Sequence, residues 1–234
     1  MLTTPLHVAL VYNQKKEDTS RQSVHGDLTE PPSLSGSVAH PSVLRTPVHS
    51  PNDTQDLYAE WDTFETIDAM RAALAEVHQV TLIEADEHAF EKLRSARPQI
   101  VFNITEGLHG VSREAQLPAM LEMLQIPYTG SDPLTLATCL DKSRAKEILA
   151  YYSIPTPRFA VVSEPAQMAE ITLSLPCMVK PLHEGSSKGI FDASLVATRE
   201  ELERQVTTVL ATYHEPALVE EFLPGREFTV AMLG

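Results

Sequence analysis

Short continuous runs of apolar residues mark the first part of the chain. HVALVYN (7–13), QVTLIEA (79–85) and QIVFNIT (99–105) are each bounded by polar or turn-forming residues. An almost wholly apolar run such as HVALVYN is typical of a strand buried on both faces, as in a parallel sheet. The pattern therefore predicts three strands, of which the first is buried.

Between and after these strands the apolar spacing changes to that of helices. The first predicted helix has apolar residues at three- and four-residue steps, namely Phe64, Ile67, Met70, Leu74 and Val77. A second helix is predicted over 86–96, with Asp86 as its N-cap, and a third over 112–124, with Ser112 as its N-cap. Strands alternating with helices predict a Rossmann-like α/β domain with a parallel sheet, which binds ligands beyond the carboxyl ends of its strands.

The second part of the chain has a different order of elements. Short helices are predicted over 133–152, followed by strands and one helix in an α+β arrangement with an antiparallel sheet. The predicted strands are LPCMVKP (175–181), GIFDASLV (189–196), PALVEEFLPG (216–225) and REFTVAML (226–233), with the helix over 198–213. The last of them is a core strand with no closing helix after it, so we expect a chain of this design to continue.

Composition excludes several classes of protein. The 234 residues are 43% apolar, which supports a folded core, and the formal net charge of −14 argues against binding to a nucleic-acid backbone. No run approaches the length of a membrane helix, and no signal peptide is predicted. Residues 14–56 are rich in proline and serine and lack aromatic residues, so we expect a disordered insertion there. Cys139 and Cys177 are expected to be buried free thiols in a cytoplasmic protein.

The segment VKPLHEGSSKGI (179–190) is the first candidate site. Gly185, Ser186 and Ser187 supply small residues whose backbone N–H groups and hydroxyls can bind anionic oxygens. Lys180 ends an apolar strand and would need an anionic partner if it were buried. The spacing is not that of a P-loop. From these residues alone, a surface hairpin and a phosphate-binding loop are both open.

Two further segments carry charged residues whose spacing indicates which way their side chains point. In LVEEFLPGREF (218–228), strand periodicity places Glu220 and Glu221 on opposite faces, so one of them should point toward a pocket or the core. The alternative is an exposed edge strand. In DKSRAKEIL (141–149), Lys142 and Lys146 are i,i+4 neighbours on one helix face, which is more often simply solvated.

Three blocks of the sequence together resemble the D-alanine–D-alanine ligases, a family of the ATP-grasp superfamily. They are LPAMLEMLQIPYTGSDPLTLATCLDKSRAK (117–146), VKPLHEGSSKGI (179–190) and LVEEFLPGREFTVAMLG (218–234). The resemblance covers about Phe102 to Gly234. It implies an N-terminal α/β substrate-binding domain over 1–137 and the first part of an ATP-grasp domain over 138–234.

The resemblance also implies roles for individual residues. Lys142 and Lys180 correspond to the lysines that contact ATP phosphates, and Glu184, Gly185, Ser186 and Ser187 to the loop that closes over them. Glu220, Glu221, Phe222 and Leu223 correspond to the adenine-binding hinge, and Glu227 to the ribose-binding acid. On the amino-acid side, Ser186, His109 and Glu114 resemble substrate-site residues of the family.

The implied reaction is ATP-dependent joining of two amino acids through an acyl phosphate, in peptidoglycan precursor synthesis. ATP, Mg²⁺ and amino acids, with D-alanine foremost, are the implied ligands. No nucleic-acid or membrane partner is expected, and a homodimer is left open. The first strand lacks the family's glycine pair and serine–glutamate segment, so Glu60, or else Asp62, is the nearest candidate for the acid that binds the first amine.

The family's Mg²⁺-binding residues correspond to none in this sequence and are expected downstream of it. Little ligase turnover is therefore expected from these 234 residues alone. Two alternatives remain open: another ATP-grasp carboxylate–amine ligase, and a non-catalytic nucleotide-binding relative.

Overall fold

The computed structural model describes residues 4–15 and 58–231 of the chain. Its first sheet has three parallel strands in the order β2–β1–β3. They are β1 (His7–Tyr12), β2 (Gln79–Glu84) and β3 (Ile100–Ile104). The most apolar run forms the central strand, because β1 is covered on both faces and paired on both edges. The three predicted strands and their parallel arrangement are confirmed.

Helices cover both faces of this sheet. The helices are α1 (Phe64–Ala75), α2 (Ala89–Ala96) and α3 (Gln116–Leu124). Alternate residues of β1 point to opposite faces: Leu10 packs in the cluster that contains Ile67 of α1, whereas Val11 packs in the cluster that contains Leu93 and Leu121 of the other two helices. This is the layered arrangement that the alternation of strands and helices predicted.

The helix boundaries differ from the predictions in detail. Helix α1 is capped by Thr63, whose side chain accepts a hydrogen bond from the Thr66 amide. Asp86 Oδ1 accepts from the His88 amide in the turn before α2, but α2 begins at Ala89 with His88 in the N-cap position and no side-chain cap, so the prediction of Asp86 as the N-cap is wrong. Ser112 makes no side-chain cap, because Arg113–Ala115 form a 3₁₀ turn and α3 begins only at Gln116. The prediction of Ser112 as the N-cap is therefore wrong.

Two short helices connect the first sheet to the second. Helix α4 (Pro133–Leu140) begins after Asp132, and α5 (Lys142–Tyr151) begins after Asp141. Each aspartate accepts hydrogen bonds from two amides of the first helical turn, which is the usual way to satisfy the free N–H groups of a helix start. Asp141 thereby fixes the position of Lys142, the first residue of α5.

The second sheet has four antiparallel strands in the order β4–β7–β5–β6. They are β4 (Phe159–Val162), β5 (Cys177–Pro181), β6 (Leu195–Val196) and β7 (Ala217–Glu221). Helix α6 (Arg199–Tyr213) packs on one face of this sheet through Leu202, Val206 and Val209. The predicted α+β arrangement of the second part is confirmed.

Two predicted strands of this part are wrong or much shorter. Over 189–196 only Leu195 and Val196 are a strand, because Ser194 closes a 3₁₀ turn in which its Oγ accepts from the Phe191 amide. No strand forms over the described residues 226–231, and Phe228 and Val230 are 75% and 79% exposed. Strand β7 already pairs with β4 and β5, so a returning strand has no free edge beside it.

The predicted disordered insertion, residues 14–56, lies outside the described residues except for its first two positions. Gln14 forms a parallel bridge with Asp62 just beyond the carboxyl end of β1. Both cysteines are free, but only Cys177 is buried, since Cys139 is exposed. In the part of the chain that the structure describes, no helix is long and apolar enough to cross a membrane.

Candidate functional site

The segment after β5, residues 182–190, is called the β5 loop. It begins at the end of a strand whose residues alternate between buried and half-buried, with Lys180 half-buried. Ser186 and Ser187 have φ values of 45° and 62°, a left-handed conformation that is uncommon outside glycine. The Lys188 amide donates to the Gly185 carbonyl at 2.8 Å, which closes a tight turn with both serines exposed at its tip.

Lys142 lies against the start of this loop. Its Nζ donates to the carbonyl oxygen of Leu182 at 3.2 Å and to that of Glu184. Burial lowers the pKa of the Lys142 ammonium, the Glu215 carboxylate opposes this effect, and the positive charge of Lys180 adds to it. The two lysines predicted to contact phosphates therefore interact electrostatically across one site.

Glu220 of β7 holds two lysines at once. Lys146 Nζ lies 2.8 Å from Glu220 Oε2, and Lys180 Nζ contacts Glu220 Oε1. Burial alone would raise the pKa of Glu220, but the hydrogen bonds from both lysines outweigh it, and the pKa lies below its ordinary value. Glu221 points the other way, toward Arg158 and the Ser174 amide. The predicted opposite orientation of the two acids is confirmed, with Glu220 as the one that faces inward.

His183, near the start of the β5 loop, contacts both the residue that caps α5 and a residue just before β7. Its Nδ1 lies 3.0 Å from Glu215 Oε2, and its Nε2 lies 3.5 Å from Asp141 Oδ2. The hydrogen bond to Glu215 raises the pKa of the imidazole, and Asp141 adds to the effect, although burial opposes it. Because Asp141 caps α5, this chain of contacts fixes the start of the helix that carries Lys142.

Acidic residues from the first sheet lie on the opposite side of the β5 loop. Glu106 follows β3, and its amide donates to Asn13 Oδ1 at 3.0 Å, so the carboxyl ends of β1 and β3 are tied together. Glu60 is held near the same edge, since the Asp62 amide donates to the Asn13 carbonyl. The site therefore lies beyond the carboxyl ends of the parallel strands, where such sheets bind ligands.

Glu60 makes direct contact with the β5 loop. The Gly185 amide donates to Glu60 Oε1 at 2.5 Å, and the Arg113 guanidinium lies 2.7 Å from Glu60 Oε2. Arg113 also pairs with Glu184, whose other oxygen accepts from Lys188. The structure thus brings together Glu60 and three residues of the loop that was predicted to bind phosphate.

Glu60, Glu106 and Glu114 offer carboxylate oxygens within 4.8 Å of one another. Burial raises the pKa of Glu106 to about 7, with further contributions from Glu114 and Glu60, and burial likewise raises the pKa of Glu114. Both oxygens of Glu60 already accept hydrogen bonds from Arg113. A second cation would compete with the guanidinium, so this trio does not fit the Mg²⁺ that the resemblance implies.

The remaining predicted residues are less enclosed. His109 is exposed in the turn before Arg113, and its carbonyl oxygen accepts from Gln116 Nε2. After β7, Phe222 and Leu223 are 38% and 66% exposed, and Glu227 is also exposed. The roles predicted for these residues stay predictions.

Four residues of the site were missed from the sequence as functional candidates: Glu106, Arg113, His183 and Glu215. His183 directly precedes Glu184, and Arg113 directly precedes Glu114, whereas Glu215 lies five residues before Glu220. When a segment contains both polar and apolar residues, the sequence alone does not show whether a charged residue within it is buried. Only the approach of the first sheet to the β5 loop shows that these side chains face one site.

Known proteins provide an independent comparison. The sequence model of the family described as D-ala D-ala ligase C-terminus matches residues 148–234. A protein of Sinorhizobium fredii described as uncharacterised is 36% identical over 183 residues, which is 74% of this chain and 53% of that protein. The D-alanine–D-alanine ligase of Haemophilus ducreyi is 39% identical over 161 residues, 67% of this chain and 51% of that enzyme. The chain thus spans about half the length of the curated relatives it matches.

Solved structures agree at the level of the fold. The D-alanine–D-alanine ligase from Bacillus anthracis, complexed with ATP, matches with a TM-score of 0.59 at 18% identity, covering 94% of this chain and 60% of that one. The VanG D-Ala:D-Ser ligase from Enterococcus faecalis matches with a TM-score of 0.57, also at 18% identity, covering 95% of this chain and 64% of that one. The chain therefore has the fold of the corresponding part of these structures.

Proposed function

We propose that this chain, which belongs to the D-alanine–D-alanine ligase family, binds ATP and takes part in joining two amino acids in peptidoglycan precursor synthesis. The observation that carries the proposal is that Lys142 contacts the β5 loop and interacts electrostatically with Lys180, which lies two residues before the loop. Two ammonium groups and a tight turn with exposed serine hydroxyls form an environment suited to a polyphosphate.

On the nucleotide side, Lys142 and Lys180 are proposed to contact phosphate oxygens, and Glu184 to Ser187 to close over them. Lys180 can do so while still paired with Glu220, because an ammonium group has three donors. The hinge over 220–223 is proposed to bind adenine, and Glu227 the ribose. Glu220 has the added task of holding Lys180, since its carboxylate lies between two lysines.

On the amino-acid side, Glu60, Glu114, His109 and Ser186 are proposed to line the substrate site. The support is that Glu60 and Glu114 lie at the carboxyl edge of the first sheet, and Glu60 reaches the loop that carries Ser186. Carboxylates there would attract the ammonium group of an amino acid.

The proposed chemistry has two steps. The γ-phosphoryl group of ATP passes to a carboxylate oxygen of the first amino acid, and ADP is released. The amine of the second amino acid then attacks the carbonyl carbon, phosphate leaves, and a proton is lost from the nitrogen. The chain's own contribution is to hold the phosphates, to neutralise charge with its lysines, and to keep water from the acyl phosphate. Mg²⁺ is a proposed cofactor, and no step is assigned to it.

The domain boundaries and the cellular location are also proposals. Residues 1–137 are proposed as the α/β substrate-binding domain and 138–234 as the first part of an ATP-grasp domain, which the two separate sheets support. We propose a cytoplasmic location, because ATP and amino acids are available there.

The test is equilibrium binding of ATP, measured by isothermal titration calorimetry with and without Mg²⁺. Saturable binding is expected, together with little dipeptide synthesis from D-alanine by these 234 residues. Absence of binding at millimolar ATP would overturn the proposal. Rapid dipeptide synthesis would instead contradict the expectation that the metal ligands lie outside this chain.

One observation favours a second candidate, another carboxylate–amine ligase of the same superfamily. Arg113 donates to both oxygens of Glu60, so the acid predicted to bind the first amine is already neutralised by a neighbour. Calorimetric titration of a panel of amino acids into the ATP-saturated chain would decide, because binding needs no turnover. Binding of D-alanine favours the first candidate, and binding of other amino acids alone favours the second.

A further inference from the structure

Arg113 joins three segments of the chain, and no role proposed above uses it. Its Nη2 lies 2.7 Å from Glu60 Oε2 and 2.9 Å from Glu184 Oε2. Its Nη1 donates to the carbonyl oxygen of His183 at 2.8 Å. Glu60 precedes α1, Arg113 precedes α3, and the other two residues belong to the β5 loop. One guanidinium therefore connects the first sheet's side of the site to the loop on the other side.

These contacts are shielded from solvent. The side chains of Arg113, Glu60 and Glu184 are 10%, 4% and 13% exposed. Two buried carboxylates this close to each other would repel if the cation were absent, and each would lose its guanidinium partner. The planar fork of an arginine can bridge two acceptors, whereas a lysine offers a single point charge.

The surrounding backbone leaves room for this arrangement. Gly107 has a φ of 77°, and a Cβ built there would lie 2.4 Å from the Arg113 carbonyl oxygen. A Cβ on Gly185 would lie 2.7 Å from Glu60 Oε1, the oxygen that accepts from the Gly185 amide. Glycine at these two positions allows the 3₁₀ turn of Arg113 and the carboxylate of Glu60 to approach closely.

We infer that Arg113 is a positioning residue that ties the β5 loop to Glu60 and so holds both sides of the site together. Its contacts with Glu60, Glu184 and the His183 carbonyl are called the latch. The inference rests on the proposed function only for the identity of the ligands, because the latch itself consists of contacts within the chain. Arg113 touches neither reacting group in this scheme and acts through Glu60 and Glu184. Its loss should release the loop without unfolding either sheet.

The test is hydrogen–deuterium exchange on the full chain, followed peptide by peptide. In Arg113→Met, peptides covering the β5 loop should exchange about tenfold faster or more, as expected when charge-assisted hydrogen bonds are lost. Peptides from β1 and β7 should keep their wild-type rates. Arg113→Lys should give a smaller acceleration, because lysine restores the charge but not the fork.

Two further variants keep the test decisive. Glu184→Gln removes one side of the latch while Arg113 keeps Glu60 as its partner and Lys188 exchanges a carboxylate for an amide oxygen, so it covers the case in which Arg113→Met fails to fold. It should also accelerate exchange in the loop. Arg94→Met is the matched control, since Arg94 pairs with Glu91 on the exposed face of α2 and should change nothing in the loop.

The outcomes separate the latch from the proposed function. Acceleration confined to the β5 loop supports the latch, whereas unchanged loop exchange in both Arg113→Met and Glu184→Gln overturns it. Equal acceleration throughout the chain also overturns it, because that result means a general structural role. ATP titration is run in parallel: if wild type fails to bind, the proposed function fails, and the exchange data still decide the latch.

Discussion

Lys146 and Glu220 form an ion pair in which Nζ lies 2.8 Å from Oε2, and this pair links α5 to β7. Glu220 also contacts Lys180 of β5 with its other oxygen. One carboxylate therefore sets the positions of two lysines from different elements. In the proposed function, this arrangement orients Lys180 before any nucleotide is bound.

The first prediction concerns this carboxylate. Glu220→Gln should lower the free energy of unfolding by about 3 kcal/mol, because two lysines would then face a neutral amide at a position where the Glu220 side chain is only 12% exposed. Urea unfolding followed by circular dichroism would measure the change. Glu221→Gln is the control on the same strand: its partner Arg158 is 64% exposed, and the loss should stay below about 1 kcal/mol. Equal losses in the two variants would contradict the conclusion that Glu220, by pairing with two lysines, stabilises the fold more than Glu221 does.

The second prediction concerns pH. The pKa of Glu106 is raised to about 7 in the folded protein, above its ordinary value of 4.5. The folded state therefore binds more protons than the unfolded state between these values, so this group lowers stability as the pH rises from about 4.5 to 7. Glu106→Gln should remove the effect and stabilise the protein at pH 8 by roughly 2 kcal/mol relative to wild type.

Thermal unfolding of both proteins at pH 5 and pH 8 would measure this difference. At pH 5 the two should be nearly equal, since Glu106 is then protonated in the folded state. The control Glu87→Gln changes an acid that is 78% exposed and should alter neither value. A Glu106→Gln variant that is less stable than wild type at pH 8 would contradict the raised pKa.

The pattern of apolar residues predicts much of the fold, but it predicts only part of the site. The apolar run of β1 predicted a buried strand correctly, because a strand covered on both faces excludes most polar residues, but its central place in the sheet was not predicted. The strand predicted over 226–233 does not form over the described residues 226–231, because apolar content cannot show whether a neighbouring strand edge is free. Here β7 already pairs on both sides.

The same limit applies to the site. The opposite orientation of Glu220 and Glu221 was predicted from strand geometry alone, since residues one apart always face opposite sides. The contacts of Arg113 with Glu60 and Glu184 span 53 and 71 positions of sequence. No local period encodes such contacts, so they become visible only when the two sheets are placed together.

The third prediction concerns glycine in the β5 loop. Gly185→Ala would place a Cβ 2.7 Å from Glu60 Oε1 and should push the carboxylate away from the loop. We expect a loss of about 1–3 kcal/mol in the free energy of unfolding. Gly225→Ala is the matched control, because no atom lies within 4 Å of a Cβ at that position. If the two variants have equal stability, then Glu60 does not hold the loop closely.

The most direct test of the central claim is calorimetric titration of ATP into wild type, Lys180→Ala and Lys188→Ala. Lys188 pairs with Glu184 inside the loop, whereas Lys180 faces the site beside Lys142, so the two lysines should differ. Wild type should bind ATP, Lys180→Ala should bind about tenfold or more weakly, and Lys188→Ala should lose less. Equal losses in the two variants, or no ATP binding by wild type, would contradict the account.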